Sequence, residues 1–282
     1  MANVLFIVWR ESLEAVLVVA ILYAYLRRMG VGRRGYGWLF GGVAAGVVTS
    51  GLLGLATLSV ASELQGRALA WFHAGMMLTA AALLTQMVIW MSRHGRTLKR
   101  ELESNMAGAV TAGNLAGVAL VALLAVAREG AETVLYLYGL GVEHAGAGAL
   151  AMAGAAAAGL MLALGTAWLV SRGVRFLNYR TFFRVTGVIL LFTAAGMLVS
   201  GASKLIGMGA LPSLMAPVWN TSMVLDSNTR VGALVSALTG YRARPSLMLV
   251  ILYAAYWALV LLWLRGPSLR RRPGLATDPE TS

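Results

Sequence analysis

VLFIVWRESLEAVLVVAILYAYL (Val4–Leu26) is a membrane-length apolar run broken in its middle by Arg10, Glu11 and Glu14. A second run, LVALLAVAREGAETVLYLYGLGV (Leu120–Val142), repeats the arrangement with Arg128, Glu129 and Glu132. A charge near the bilayer centre costs roughly 2.5–3.5 kcal/mol, so ionisable residues inside a span point to function. Here three stand on each of two helices. The charged pentapeptides, Arg10-Glu11-Ser12-Leu13-Glu14 and Arg128-Glu129-Gly130-Ala131-Glu132, share the pattern R-E-x-x-E and start 118 positions apart. Transport of a cation is the expectation they raise.

The rest of the chain agrees with a membrane setting. Of 282 residues, 59% are hydrophobic and only 12% charged, with a mean hydropathy of +0.75. Uncharged runs long enough to cross about 30 Å of hydrocarbon are Tyr36–Ser62, Ala68–Ser92, Ser104–Ala127, Ala145–Ser171, Val185–Ser203 and Pro245–Leu264. With Val4–Leu26 they predict seven helices in an all-α, polytopic membrane protein.

The net charge of +12 does not imply nucleic acid, because of where the cations stand. Sixteen of the 23 basic residues fall in four clusters: Arg27/Arg28/Arg33/Arg34, Arg93/Arg96/Lys99/Arg100, Arg172/Arg175/Arg180/Arg184 and Arg265/Arg270/Arg271/Arg272. Seven spans put all four on one side. The positive-inside rule then predicts an external N-terminus and a cytoplasmic C-terminus, with the clusters facing anionic lipid. There is no cysteine, which excludes disulfides and thiolate metal sites. The charged first run lacks the clean apolar centre of a signal peptide and is expected to remain as helix 1.

Each half opens with a boxed helix, and three spans per half insert the second half upside down, a recurring transporter design. The expected organisation is one permease domain over 1–282. A first three-helix repeat occupies 1–92 and an inverted repeat 104–206. An external segment covers 207–244, a seventh helix 245–265 and a cytoplasmic tail 266–282. Within the external segment, Val231–Leu238 reads as a short helix lying along the membrane interface.

Residues three or four apart share a helix face, so Glu11 converges with Glu14, and Glu129 with Glu132. If the two helices face each other, four carboxylates surround one space. Carboxylate oxygens suit hard cations. Four glutamates and two arginines sum to −2, which a divalent or trivalent ion roughly neutralises. Arg10 and Arg128 are the charge partners that temper the site, since conduction needs an ion that can leave. The plainer reading, two Arg–Glu bridges that only lock helices, needs no second glutamate in each box.

These boxes on helices 1 and 4 of a seven-helix chain resemble the high-affinity iron permease family, the oxidase-dependent iron transporters of bacteria and fungi. Met87-Val-Ile-Trp90-Met91-Ser-Arg93, Val218-Trp219-Asn220-Thr-Ser222 and Gly240-Tyr241-Arg-Ala-Arg-Pro245-Ser246 extend the resemblance. Asn220 departs from it, standing where many relatives are expected to carry aspartate. The resemblance implies iron import across the inner membrane, with Glu11, Glu14, Glu129 and Glu132 as ligands along the path. Iron is then substrate, with no cofactor permanently bound. It also implies extracytoplasmic redox partners: a multicopper oxidase, or a periplasmic peroxidase with a metal-binding lipoprotein.

Other polar residues rank lower. Glu63, Glu143 and Asp226 fall in outer loops; Glu63 and Asp226 are candidate entrance residues. His73 reads as a packed ring, and His94 and His144 stand in loops. Met76, Met77, Met87 and Met91 read as fillers of an apolar core. Two rivals remain open at this point. One is a transporter or proton exchanger for manganese, lead or calcium. The other is an intramembrane enzyme, although the chain lacks H-E-x-x-H and Gly130 replaces Ser12 in the second box.

Overall fold

The structure, a computed structural model, describes residues 2–94, 104, 106–107, 114–143, 149–172, 179–226 and 229–265. The tail 266–282, His144, and the basic residues Arg96, Lys99, Arg100, Arg175 and Arg270 to Arg272 lie outside them. The described residues form α1 (Ala2–Arg28), α2 (Arg33–Glu63), α3 (Gly66–His94), α4 (Leu115–Glu143), α5 (Ala149–Ser171), α6 (Tyr179–Gly207), α7 (Arg230–Thr239) and α8 (Leu247–Arg265). All but α7 have at least 19 residues, enough for about 28 Å of rise. Helices satisfy their own backbone, which lipid demands.

Five of them, α2, α3, α5, α6 and α8, are long and apolar enough to cross a membrane by length and composition. The other two long helices, α1 and α4, are the boxed ones, and the box charges alone set them apart. The protein is therefore an all-α, multi-pass membrane protein. Leu52, Leu55 and Leu58 on α2, Met161 and Trp168 on α5, and Leu262 and Trp263 on α8 are exposed, as lipid-facing side chains should be. The centre is formed by α3 and α6, pressed against α1 and α4 in a cluster holding Ile7, Leu84, Tyr136, Leu140, Leu190 and Met197.

Each half packs mainly against the other half, not against itself. The most extensive contacts are α2 with α4, α3 with α6, and α1 with α5, followed by α1 with α4. Exchanging α1 with α4, α2 with α5 and α3 with α6 maps this set onto itself. Two glycines carry the correspondence to atomic detail. A Cβ on Gly46 of α2 would meet the Leu123 carbonyl oxygen and the Val126 Cβ; on Gly159 of α5 it would meet the Leu5 carbonyl oxygen and the Val8 Cβ. Leu5 and Val8 precede Arg10 by the same steps by which Leu123 and Val126 precede Arg128. Small residues let backbones approach where apolar packing against lipid offers no drive.

The seven expected long helices are all present among the described residues, and the short helix expected over Val231–Leu238 forms as α7. Thr229 caps α7, its hydroxyl accepting from the Gly232 amide at 3.1 Å. At the other end Gly240 turns left-handed, φ 74°, and fits against the Ala195 carbonyl and Gly196. That contact lies eleven residues before the Gly207 end of α6, about 16 Å along its axis. Arg242 then donates to the Ser200 hydroxyl at 2.8 Å. A side chain at 240 would crowd Ala195 and Gly196; glycine lets the segment pack close beside α6.

Candidate metal centre

The boxes meet because α1 and α4 run antiparallel. Val4 and Ile7 share one apolar cluster with Tyr136 and Leu140, while Val18, Leu22 and Leu26 share another with Val118 and Ala122. Residues 10–14 and 128–132 fall between the two, so a polar layer is closed above and below by apolar side chains. In so dry a layer each charge must find a partner.

Within that layer Glu11, Glu14 and Glu129 each offer a carboxylate oxygen, all within 4.8 Å of one another. Glu11 and Arg10 are fully buried, at 1% and 2% side-chain exposure. Arg10 donates through Nη1 to Glu11 Oε1 at 2.9 Å, and its Nη2 pairs with Glu14 Oε1 at 2.6 Å. The second pair is close but poorly aligned for a hydrogen bond, and Glu14 Oε1 has no hydrogen-bond donor; neither has Glu11 Oε2. Buried carboxylate oxygens lacking donors, with several acid groups converging on them, make a donor set suited to a hard or borderline cation. When ionised, these three acids and Arg10 sum to −2.

Two methionines of α3 complete the Arg10 cradle. Nη1 also donates to Met87 Sδ at 3.2 Å, and Nη2 to Met91 Sδ at 3.5 Å. The core-filler expectation for these residues misses this role. Met77, by contrast, is a packed core residue against Gly139 and Gly201.

The fourth expected ligand, Glu132, borders the three-acid group, with both of its oxygens taken by other side chains. One of its oxygens accepts from Arg128 Nε at 3.1 Å, the other from the Tyr136 hydroxyl at 3.1 Å. Arg128 itself is 58% exposed and lies over the Trp90 ring, 5.9 Å from its centroid. Tyr136 and Trp90 were not among the expected residues. The signal for Tyr136 was available: it stands one helical turn beyond Glu132, on the same face. Gly130, the box residue replacing Ser12, is explained by α2: a Cβ there would strike the Ser50 side chain.

The remaining candidates are distant from this layer. Glu63 is exposed at the end of α2, and Asp226 belongs to the segment between α6 and α7. His73 packs on Tyr138, ring centroids 5.9 Å apart. The side chains of His94 and Glu143 lie outside the described residues.

A multi-pass helical bundle with buried acids gathered between two antiparallel helices is an arrangement suited to a metal ion in a membrane protein. The chain belongs to the Iron permease FTR1 family, whose model matches residues 1–266. It is similar to the ferrous iron permease EfeU of Escherichia coli O157:H7, 31% identical over 258 residues, covering 89% of this chain and 90% of that protein. It is also similar to the ferrous iron permease EfeU of Yersinia pestis, 30% identical over 270 residues and 92% of each chain. No solved structure matches it. A membrane permease, and not an enzyme, is what the family defines.

Proposed function

We propose that this protein imports iron across the inner membrane, the ion passing through the carboxylates of Glu11, Glu14 and Glu129. The convergence of these three acids, from two oppositely directed helices, inside a layer closed by apolar clusters, carries this reading. The names of the relatives favour Fe2+ as the form carried. A charge of −2 on Glu11, Glu14, Glu129 and Arg10 suits a divalent ion, and Arg10 limits how tightly it is held. Arg128 pairs with Glu132 at the open edge of the site. Glu63 and Asp226 gather cations on the outer side. The one-sided arginines support an external N-terminus and cytoplasmic C-terminus, and inward cation movement gains about 2.3 kcal/mol per charge per 100 mV. An extracytoplasmic oxidase or peroxidase, with a metal-binding lipoprotein, is the partner class this reading takes from the family.

The test is uptake of radioactive iron at controlled redox state into vesicles, normalised to folded protein, with manganese, lead and calcium as competitors. Glu11→Gln, Glu14→Gln and Glu129→Gln keep side-chain size and lose one charge. Each should lower uptake at least about tenfold, since one charge-assisted contact is worth about 1.5–3 kcal/mol. If the acids serve only as helix locks, folded yield falls and normalised uptake stays constant. That result would end the reading, and preferential uptake of another metal would reassign the substrate.

A further inference from the structure

We propose that Tyr136 is a positioning residue that holds Glu132 out of the Glu11–Glu14–Glu129 group, making Glu132 a movable carboxylate that exchanges the ion between that group and the open edge of the site. This rests on the three acids binding the ion. Three observations carry it. Glu132 has both oxygens occupied, by a buried phenol at 3.1 Å and by the exposed Arg128 at 3.1 Å. Glu132 itself is only 12% exposed, so it is held between a partner inside the closed layer and a partner outside it. Its counterpart in the first box, Glu14, belongs to the three-acid group, and the residue one turn beyond Glu14 is Val18, which has no hydroxyl. The latch is thus present on one box alone. Finally, Tyr136 is itself fixed: it is fully buried, and its hydroxyl lies 4.0 Å from Met87 Sδ, the sulfur that also accepts from Arg10. The phenol is anchored to the framework that holds the first box, while the carboxylate it grips is tied on its other side only to an exposed arginine.

A fixed hydroxyl and a mobile carboxylate define a two-position element. With the hydrogen bond made, three acids hold the ion and it can leave. With the bond broken, Glu132 can turn one side chain's length into the group and act as a fourth ligand. Conduction requires sites that bind without trapping, and the latch keeps the fourth ligand away in the resting state.

Tyr136→Phe keeps the ring and removes the hydroxyl. Glu132 should then join the three acids at rest. KM for Fe2+ should fall about tenfold, the equilibrium worth of one hydrogen bond to a charged group, and maximal uptake should fall with it. Adding Glu132→Gln should abolish the change in KM, because the freed side chain no longer brings a charge. A merely structural Tyr136 would lower yield and leave the KM of folded protein unchanged, which overturns the proposal. Glu132→Gln alone supplies a second route should Tyr136→Phe fold poorly. Anaerobic Fe2+ binding to purified protein should stay within about twofold of the parent while maximal uptake drops. Loss of binding instead makes Glu132 a resident ligand and overturns the latch. If Glu11→Gln, Glu14→Gln and Glu129→Gln all keep full Fe2+ binding, the three-acid reading itself fails; if they lose it while Tyr136→Phe changes nothing, only the latch fails.

Discussion

The two R-E-x-x-E boxes are near copies in sequence and unlike in structure. In the first, Arg10 is buried, holds Glu11 and Glu14, and rests on two methionine sulfurs. In the second, Arg128 is exposed, holds Glu132 alone and lies over Trp90. The pentapeptide explains none of this. The difference comes from α3, which presents Met87 and Met91 to one box and Trp90 to the other, and from Tyr136, which has no counterpart after the first box. A pseudo-symmetric pair of helices is thereby made directional: one box is a fixed wall, the other an edge. On the proposed function, that inequality would give an ion a way out that two equally closed boxes would not offer.

The comparison breaks most visibly at the arginines. Arg10→Ala leaves Glu11 and Glu14 without their buried counter-charge, and removing one member of a buried pair typically costs about 3–5 kcal/mol. Folded yield and thermal stability in detergent should both collapse, and Arg10→Lys should restore them only in part, because an ammonium lacks the fork that reaches two carboxylates and two sulfurs. Arg128→Ala removes an exposed arginine from a largely buried Glu132 and should cost less than Arg10→Ala, because Glu132 keeps the Tyr136 hydroxyl as a donor. It should act on uptake through Glu132 while yield stays near normal. Equal loss of yield in the two variants would show that the exposure difference between the boxes has no energetic consequence.

A smaller effect is expected where the two halves are alike. Gly159→Ala pushes a methyl to 2.6 Å from the Leu5 carbonyl oxygen, and Gly46→Ala one to 2.9 Å from Val126 Cβ. Overpacking of this kind costs about 1–3 kcal/mol, and backbone yields less readily than a side chain, so Gly159→Ala should be the worse of the two. Gly51, on the same helix as Gly46, has open space around it. Gly51→Ala should be neutral or stabilise by about 0.5–1 kcal/mol through helix propensity. Thermal unfolding of the three variants tests the order; destabilisation by Gly51→Ala would count against α2 meeting lipid on that face.

Much of this fold was legible because lipid makes few rules and enforces them. Tyr36–Ser62 became α2 over Arg33–Glu63, and Val185–Ser203 lies within α6. The boxed run Ser104–Val142 was too long for one span, and its last 23 residues, Leu120–Val142, lie within α4 (Leu115–Glu143), which Asn114 caps by accepting from the Gly117 amide at 3.1 Å. The i,i+3 spacing brought Glu11 to Glu14, and the box repeat brought Glu129 to them. Periodicity on one helix says nothing of its neighbours, however. That Met87 and Met91 face Arg10 depends on the rotation of α3, and that Glu132 turns away depends on a phenol one turn along. That α7 packs beside α6 is likewise unreadable from its composition: ten residues of mixed polarity do not name a neighbour, and the deciding feature is the fit of Gly240 against Ala195 and Gly196.

The finest test of the inequality lies in the sulfurs. Met87→Leu nearly conserves volume, and such exchanges usually cost under about 1.5 kcal/mol. What it deletes is an acceptor placed 3.2 Å from Arg10 Nη1 and 4.0 Å from the Tyr136 hydroxyl. Met91→Leu deletes one at 3.5 Å from Nη2, on a less buried residue, and should cost less still. Because both sulfurs serve one guanidinium, the double variant should lose more than the sum of the two, since the second loss removes the remaining sulfur acceptor that α3 offers Arg10. Thermal stability of the three variants, measured in an Arg10→Lys background as well, decides whether the sulfurs act through Arg10. If they do, the penalties shrink once the fork is gone; if the methionines only fill space, the penalties are the same in both backgrounds and α3 does not distinguish the boxes through Arg10.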